Sequence, residues 1–327
     1  MIAGWYERNG SAADVLQVGE MPDPEPGANE VRVKVHAAGI NPSDVKGRQG
    51  LRKKLAYPRV IPGCDGAGVI DRVGPGVPTT RIGERVWIYE GQFNRAMGTS
   101  AGFVALPAAL AVRLPDPLTF DQGACLGVPY MTAHRAVFAD GPITGATVLV
   151  QGGAGAVAHY ALQLCKWGGA EVITTVSGPA KAAHAKLAGA DHVINYKTES
   201  VKERVLEITA GRGVDRVIEM EFGQNFLTDY EVIAPYGTIA SYGSQAVPEA
   251  HLPYFSVNAK NPLIRLILVY TMPPAAKQQA INDLSAWLRV GKPVFAIAQR
   301  FGLASIAAAH EAVESGDKIG QVVLSIA

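Results

Sequence analysis

The chain reads as an α/β protein in two parts, a β-rich unit and a parallel sheet covered by helices. Three observations predict this. Val31-Arg32-Val33-Lys34-Val35 alternates apolar and polar residues at period two, the mark of a half-buried strand. Residues 66–73 and 85–88 form further short strands, set apart by turn signals such as Gly74-Pro75-Gly76. From Leu114-Pro115-Asp116-Pro117 onward, helix and strand patterns alternate, which argues for a parallel sheet with helices on both faces.

The elements follow in order. The stretch 120–139 can be helical, with Pro129 interrupting or kinking it. A short apolar strand at 147–151 precedes a helix at 156–167, where Val157, Ala161, Leu164, Cys165 and Gly168 recur at helical spacing. The pattern then gives strand 172–176, helix 180–187, strand 192–195, helix 201–209, and strands 214–220 and 237–242. After residue 258 it is mixed again, with helices at 275–288 and 303–314 and a last strand at 321–326.

Composition narrows the function classes. There are 30 Lys+Arg against 29 Asp+Glu, a net charge of +1, so the chain has no field for gripping phosphate backbones or anionic lipid. Its three cysteines, Cys64, Cys125 and Cys165, are scattered and contain no C-x-x-C, which leaves neither a disulfide framework nor a multi-cysteine zinc site. The N-terminal MIAGWYERNG has no basic segment followed by an apolar run, and the apolar stretch 263–271 is about half a membrane span and carries Arg265. A reduced, cytoplasmic protein without membrane or nucleic-acid partners is expected.

The sharpest motif is TVLVQGGAGAVAHYALQLCKW, in which a strand leads into Gly153-Ala154-Gly155-Ala156-Val157-Ala158 and then a helix. This fits the dinucleotide-binding pattern G-x-G-x-x-[GA]. Gly153 is expected to allow the tight turn, Gly155 to let the backbone approach a pyrophosphate, and Ala158 to permit close packing of helix on strand. The helix would point its unpaired N–H groups at the phosphates. Where an NAD site usually carries Asp or Glu, the next strand ends in Ser177-Gly178-Pro179-Ala180-Lys181. A hydroxyl and an ammonium suit a 2′-phosphate that a carboxylate would repel, so the expected cofactor is NADPH. Ser177 can also cap the following helix and Lys181 can lie on a solvated face.

With these residues in view, the chain resembles the medium-chain dehydrogenase/reductase superfamily, in its zinc-independent quinone oxidoreductase branch, the zeta-crystallin group. The resemblance runs nearly end to end. AAGINPSDVKGRQG, PGCDGAGVIDRVGPGV, GERVW and GVPYMTAHRAV carry it in the first half. The glycine-rich segment, GADHVINY and AHEAVESGDKIGQVVL carry it in the second. It implies a GroES-like, partly open β-barrel from residues 1–117 and 259–327, with a Rossmann domain from 118–258 inserted between. It further implies that Ser177, Lys181 and Tyr196 hold the cofactor phosphate, and that Gly243 and Ser244 belong to a cofactor loop beside Gly153, Gly155, Ala156 and Val157. Asn41 and Thr132 would face the nicotinamide and the substrate. Ala158 stands where this branch commonly has glycine.

Zinc-dependent members of the superfamily hold their catalytic metal with Cys and His from corresponding motifs. Here Asn41, Cys64 and Val128 stand at those positions. One soft ligand does not make a site that needs three, so no metal is expected and Cys64 reads as a small buried hydrophobe. Without a Lewis acid the substrate must accept hydride readily, as quinones and conjugated carbonyls do by delocalising the charge. Asn41 is a neutral donor suited to the developing oxyanion, although a turn role before Pro42 also explains it. Asp44 fits a pin for that loop better than a base.

Lys46 and Arg52 stand near positions where this group often has tyrosines, with Tyr57 nearby. If either faced the pocket it could hold a phenolate, though solvated surface explains both. His159 reads as a packing or surface histidine, and His310 as a core or capping one. The expected function is NADPH-dependent, zinc-independent reduction of quinones or similar conjugated carbonyls. An enone or alkenal double-bond reductase is the nearest alternative. A crystallin-like or RNA-binding protein without activity is a more distant one, disfavoured by the absence of any Lys/Arg run. The resemblance also implies a homodimer, to which the apolar stretch 262–271 would contribute.

Overall fold

The computed structural model of the protein describes residues 1–51 and 54–326. Arg52 is outside the described residues. The chain divides into two units, Met1–Pro129 with Phe295–Ala327, and Tyr130–Val294.

The first unit begins with β1 (Ile2–Trp5), α1 (Ala12–Val15) and β2 (Gln17–Glu20), with β1 and β2 antiparallel. The predicted alternation at 31–35 is the start of β3 (Glu30–Ile40), an 11-residue strand. Irregularities in its pairing at Arg32/Val33 and Val35/Ala37 bend it. Next comes α2 (Pro42–Gln49), whose proline occupies a first-turn position where no N–H is needed. The antiparallel strands β4 (Asp65–Val73), β5 (Arg85–Ile88), β6 (Phe103–Pro107) and β7 (Ala111–Arg113) complete this region. Val33, Val35, Ile70, Val86, Val104 and Leu106 meet inside it and are buried.

The helix predicted over 120–139 is two helices, α3 (Phe120–Gly123) and α4 (Val128–Phe138). Thr119 and Gln122 cap α3 reciprocally. Pro129 lacks an N–H, so it fits only the first turn of a new helix, and the break falls before it.

The second unit continues in strict alternation: β8 (Thr147–Val150), α5 (Ala156–Trp167), β9 (Glu171–Val176), α6 (Pro179–Leu187), β10 (His192–Asn195) and α7 (Val201–Ile208). Then follow β11 (Val214–Glu219), α8 (Phe222–Val232), β12 (Ile233–Ser241), α9 (Tyr254–Lys260), β13 (Leu263–Leu266) and α10 (Pro274–Val290). The six strands form one parallel sheet in the order β10-β9-β8-β11-β12-β13. Leu149, Ile173, Val217, Ile239 and Phe226 are buried at its centre.

The unit boundaries fall elsewhere than the change in sequence texture at 117 and 258. Residues 259–294 go with the parallel sheet, because β13 adds to its edge and α10 packs on this unit. Trp287 stacks on Tyr130 with ring centroids 6.1 Å apart, and the Tyr130 hydroxyl donates to the Ala280 carbonyl at 2.8 Å. His134 and Asp283 meet at 2.8 Å. A four-residue edge strand covered on few sides carries too weak a pattern to announce itself.

The chain returns to the first unit with β14 (Ile297–Gly302), α11 (Ile306–Glu314) and β15 (Gln321–Ser325). β15 pairs parallel to β14 and antiparallel to β3, giving the order β14-β15-β3-β4-β5-β7 with β6 also on β3. His310 is fully buried in α11. Among the described residues no helix is long and apolar enough to cross a membrane.

Candidate functional site

In the second unit the glycine-rich segment forms the turn between β8 and α5. The left-handed residue of this turn is Gly152, at φ 69°, and not Gly153. Gly153 is needed for a different reason: a Cβ there would collide with the Thr174 hydroxyl on β9. Gly155 takes ordinary extended angles as the N-cap of α5 (φ −72°, ψ 155°), with no side chain capping the helix. A Cβ on Gly155 would meet nothing closer than the Gly152 carbonyl at 3.4 Å, so the space before the helix is open. Ala156 and Val157 are half-buried in the first turn, while Ala158 is fully buried and packs as expected.

Ser177 follows β9 and Tyr196 follows β10 at the carboxyl ends of neighbouring strands, and Lys181 lies in the first turn of α6. Asn195 on β10 is in register with Val176 on β9, and the Tyr196 N–H donates to the Val176 carbonyl at 3.1 Å. Tyr196 is 52% exposed, and Ser177 and Lys181 are half-buried. No acidic residue stands between the end of β9 and the first turn of α6. An uncapped helix N-terminus, and a hydroxyl, an ammonium and a phenol after the next two strands, are the groups that suit a dinucleotide with a phosphorylated ribose.

The loop after β12 is held from within. The Gly243 carbonyl accepts from the Phe222 N–H at 2.9 Å, and a Cβ on Gly243 would strike the Met220 carbonyl. The Ser244 hydroxyl accepts from the Gly223 N–H at 2.8 Å and donates to the Val247 carbonyl, so it braces the loop. Thr132 is buried on α4.

In the first unit Asn41 lies between β3 and α2, at the N-cap position of α2, and is 2% exposed. Its Nδ2 donates to Asp65 at 2.7 Å, and its Oδ1 accepts from Gln321 at 3.2 Å. The Val128 N–H, at the start of α4, donates to both Asp65 carboxylate oxygens at 2.9 Å. Asp44 pins the turn by accepting the Asn41 N–H at 2.8 Å. Burial pushes the Asp65 carboxyl well above its usual range, opposed by the Asn41 amide and reinforced by the charge of Asp44. Burial raises Asp44 to about 6, against hydrogen bonds from Asn41 and Cys64.

Asp65 and Gln321 are the residues that sequence reasoning missed here. The available signal was an acid set among small residues in PGCDGAGV, where a side chain with no room must be buried and partnered. Lys46 is half-buried on α2. Cys64, Cys125 and Cys165 are all buried, and no disulfide joins them among the described residues. Among the described residues no group of three His, Cys, Asp or Glu side chains is arranged to hold a metal ion. His159 is buried, its Nε2 meeting the Val294 carbonyl at 2.6 Å, and it stacks on His184.

A GroES-like unit joined to a parallel-sheet nucleotide unit defines an alcohol-dehydrogenase-like oxidoreductase. Residues 27–116 match the family described as alcohol dehydrogenase GroES-like domain, and residues 156–286 match the one described as zinc-binding dehydrogenase. The chain is 31% identical to the quinone oxidoreductase of Rattus norvegicus over 92% of its own length and 90% of that protein's. It is 30% identical to the quinone oxidoreductase of Pseudomonas aeruginosa over 95% of each chain. The solved structure of Escherichia coli quinone oxidoreductase complexed with NADPH matches over 100% of both chains, with a TM-score of 0.88 at 27% identity. The chain therefore belongs to the medium-chain dehydrogenase/reductase superfamily, in its quinone oxidoreductase branch.

The buried Asp44 gives the site a pH signature. Its folded pKa of about 6 lies above the ordinary 3.8, so the stability that protonation confers is complete below about pH 4 and is lost as pH rises through 6. Asp44→Asn, which keeps an acceptor for the Asn41 N–H, should gain on wild type by about 3 kcal/mol between pH 4 and pH 7. Denaturant melts of both proteins at the two pH values measure the difference. A constant difference would show that Asp44 is ionised in the fold at no cost.

Proposed function

We propose that the protein is an NADPH-dependent, zinc-independent reductase of quinones or similar conjugated carbonyls, acting as a cytoplasmic homodimer. The single observation that carries the reading is the segment after β9, Ser177-Gly178-Pro179-Ala180-Lys181, which holds a hydroxyl and an ammonium but no acid, with Tyr196 beside Val176 on the neighbouring strand. When bound, NADPH supplies hydride from its nicotinamide C4. The chain's own residues bind and orient. The first-turn N–H groups of α5, with Gly153, Gly155, Ala156 and Val157, receive the pyrophosphate, and Gly243 and Ser244 shape the loop beside it. Ser177, Lys181 and Tyr196 hold the 2′-phosphate.

On the substrate side the reading assigns Asn41 and Thr132. The Asn41 amide has two hydrogens, of which one goes to Asp65. The second serves the oxygen of the acceptor as charge develops, and Thr132 orients the nicotinamide. Because Asp65 and Gln321 hold the amide at both ends, its direction is set before substrate arrives. An amide, a thiol and an apolar side chain at positions 41, 64 and 128 make no ligand set for zinc, which restricts the acceptors to those that take hydride unaided.

Oxidation of NADPH against benzoquinones, polycyclic quinones, alkenals and cyclic enones tests the substrate class. The quinones are expected to give the highest kcat/KM, and Asn41→Ala should lower it roughly 100-fold, the scale of losing one oxyanion donor. Faster turnover of alkenals or enones would move the assignment to a double-bond reductase. An unchanged kcat/KM in Asn41→Ala would remove that residue from the mechanism.

The dimer rests on the free edge of the parallel sheet. β13 ends the strand order there, and Leu263, Leu266 and Leu268 are exposed along it. Light scattering after size exclusion should give twice the chain mass for wild type and the monomer mass for Leu266→Arg. A wild-type monomer would contradict this assignment.

A further inference from the structure

Two acidic side chains lie fully buried beneath the nucleotide turn, in a place no part of the proposed chemistry uses. Glu219 closes β11 and Asp229 sits on the inner face of α8, both at 0% exposure. Asn225, one turn before Asp229 on the same face of α8, donates to Glu219, so the two carboxyl groups lie on facing surfaces of helix and strand. Two negative charges facing one another at zero exposure cannot both persist, so the pair must hold a proton.

The surrounding donors decide which member carries it. Glu219 accepts from the Glu221 N–H, and from Asn225 Nδ2 at 3.1 and 3.2 Å, as an ionised carboxylate does. Asp229 Oδ1 accepts from Gln151 Nε2 at 3.0 Å, while its Oδ2 receives no donor although it is buried. A buried carboxyl oxygen without a donor, facing another carboxylate, is the place for the proton. Burial and the charge of Glu219 both raise Asp229 well above the ordinary range.

From Asp229 a one-directional chain runs to the cofactor turn. Gly152 N–H donates to the Thr175 hydroxyl at 3.0 Å, and that hydroxyl donates to Gln151 Oε1 at 2.7 Å. The other end of the Gln151 amide donates to Asp229. Each group has one role, so the orientation of the Gln151 amide fixes the hydroxyl, and the hydroxyl holds the turn at its left-handed glycine. The geometry points to Asp229 and Glu219 as a proton-sharing pair that positions the glycine-rich turn, through Gln151 and Thr175, for the cofactor pyrophosphate. Both are positioning residues, and the inference rests on the dinucleotide reading of that turn. The other titratable groups against the pair are Tyr242, whose phenol burial and the Glu219 charge push up, and Glu221, whose carboxylate accepts the Ala246 N–H at 2.7 Å.

The test combines infrared spectroscopy with equilibrium NADPH binding by fluorescence. Wild type should show the C=O band of a buried protonated carboxyl at neutral pH, and Asp229→Asn should lack it. The amide introduced by Asp229→Asn would still donate to Glu219 and accept from Gln151, so the NADPH Kd of that variant should stay within about twofold of wild type. Asp229→Leu removes both functions and should raise Kd about tenfold, the scale of one unpartnered buried group. Gln151→Leu breaks the chain without touching the pair and should weaken NADPH to a similar degree while keeping the infrared band. This second variant keeps the test open if Asp229→Leu fails to fold. Absence of the band, or an unchanged Kd in both leucine variants, would overturn the proposal alone. Failure of wild type to bind NADPH at all would overturn it together with the cofactor reading, and the band would still report on the pair.

Discussion

The nucleotide unit depends on how closely the turn after β8 lies against β9. Gly153 lies against the Thr174 hydroxyl, and the Gly153 N–H donates to the Thr175 carbonyl at 2.9 Å. This contact aims the start of α5 at the carboxyl ends of the sheet, where Ser177 and Tyr196 already stand side by side. A larger residue at 153 would move the helix, and with it every N–H group that could meet a phosphate. The other glycines of the motif divide the remaining work. Gly152 takes the left-handed angle, and Gly155 leaves open space in front of the helix.

The first unit solves a different problem, holding a buried polar amide in a fixed direction in the barrel wall. Asn41 is gripped by Asp65 on one side and Gln321 on the other, so residues from β3, β4 and β15 meet at one amide. The Asp65 carboxylate also receives the first N–H of α4, at the positive end of a helix. Each oxygen of this buried acid accepts at least one hydrogen bond, which offsets part of the cost that burial places on its charge.

Much of this was legible in the sequence. The strand-turn-helix context of the glycine motif placed α5 at its observed bounds, and the missing acid after β9 pointed to the cofactor. Local pattern carried those features because they are local. The individual glycine roles were not legible: which glycine must stay bare depends on Met220 and Thr174, contacts from elsewhere in the chain. The Asp65 clamp and the Asp229 pair were also hidden, because a buried carboxyl is defined by distant partners, 78 residues apart in the case of Gln151 and Asp229. Residues 259–294 carry little pattern of the parallel sheet because β13 owes its existence to pairing with β12, not to its own alternation.

On the proposed reading, the segment after β9 selects the phosphorylated dinucleotide. Parallel fluorescence titrations of the protein with NADPH and with NADH test it without any substrate. The Kd for NADPH is expected to lie at least about tenfold below that for NADH, the scale of one charge-assisted contact. Equal affinities, or tighter binding of NADH, would contradict it.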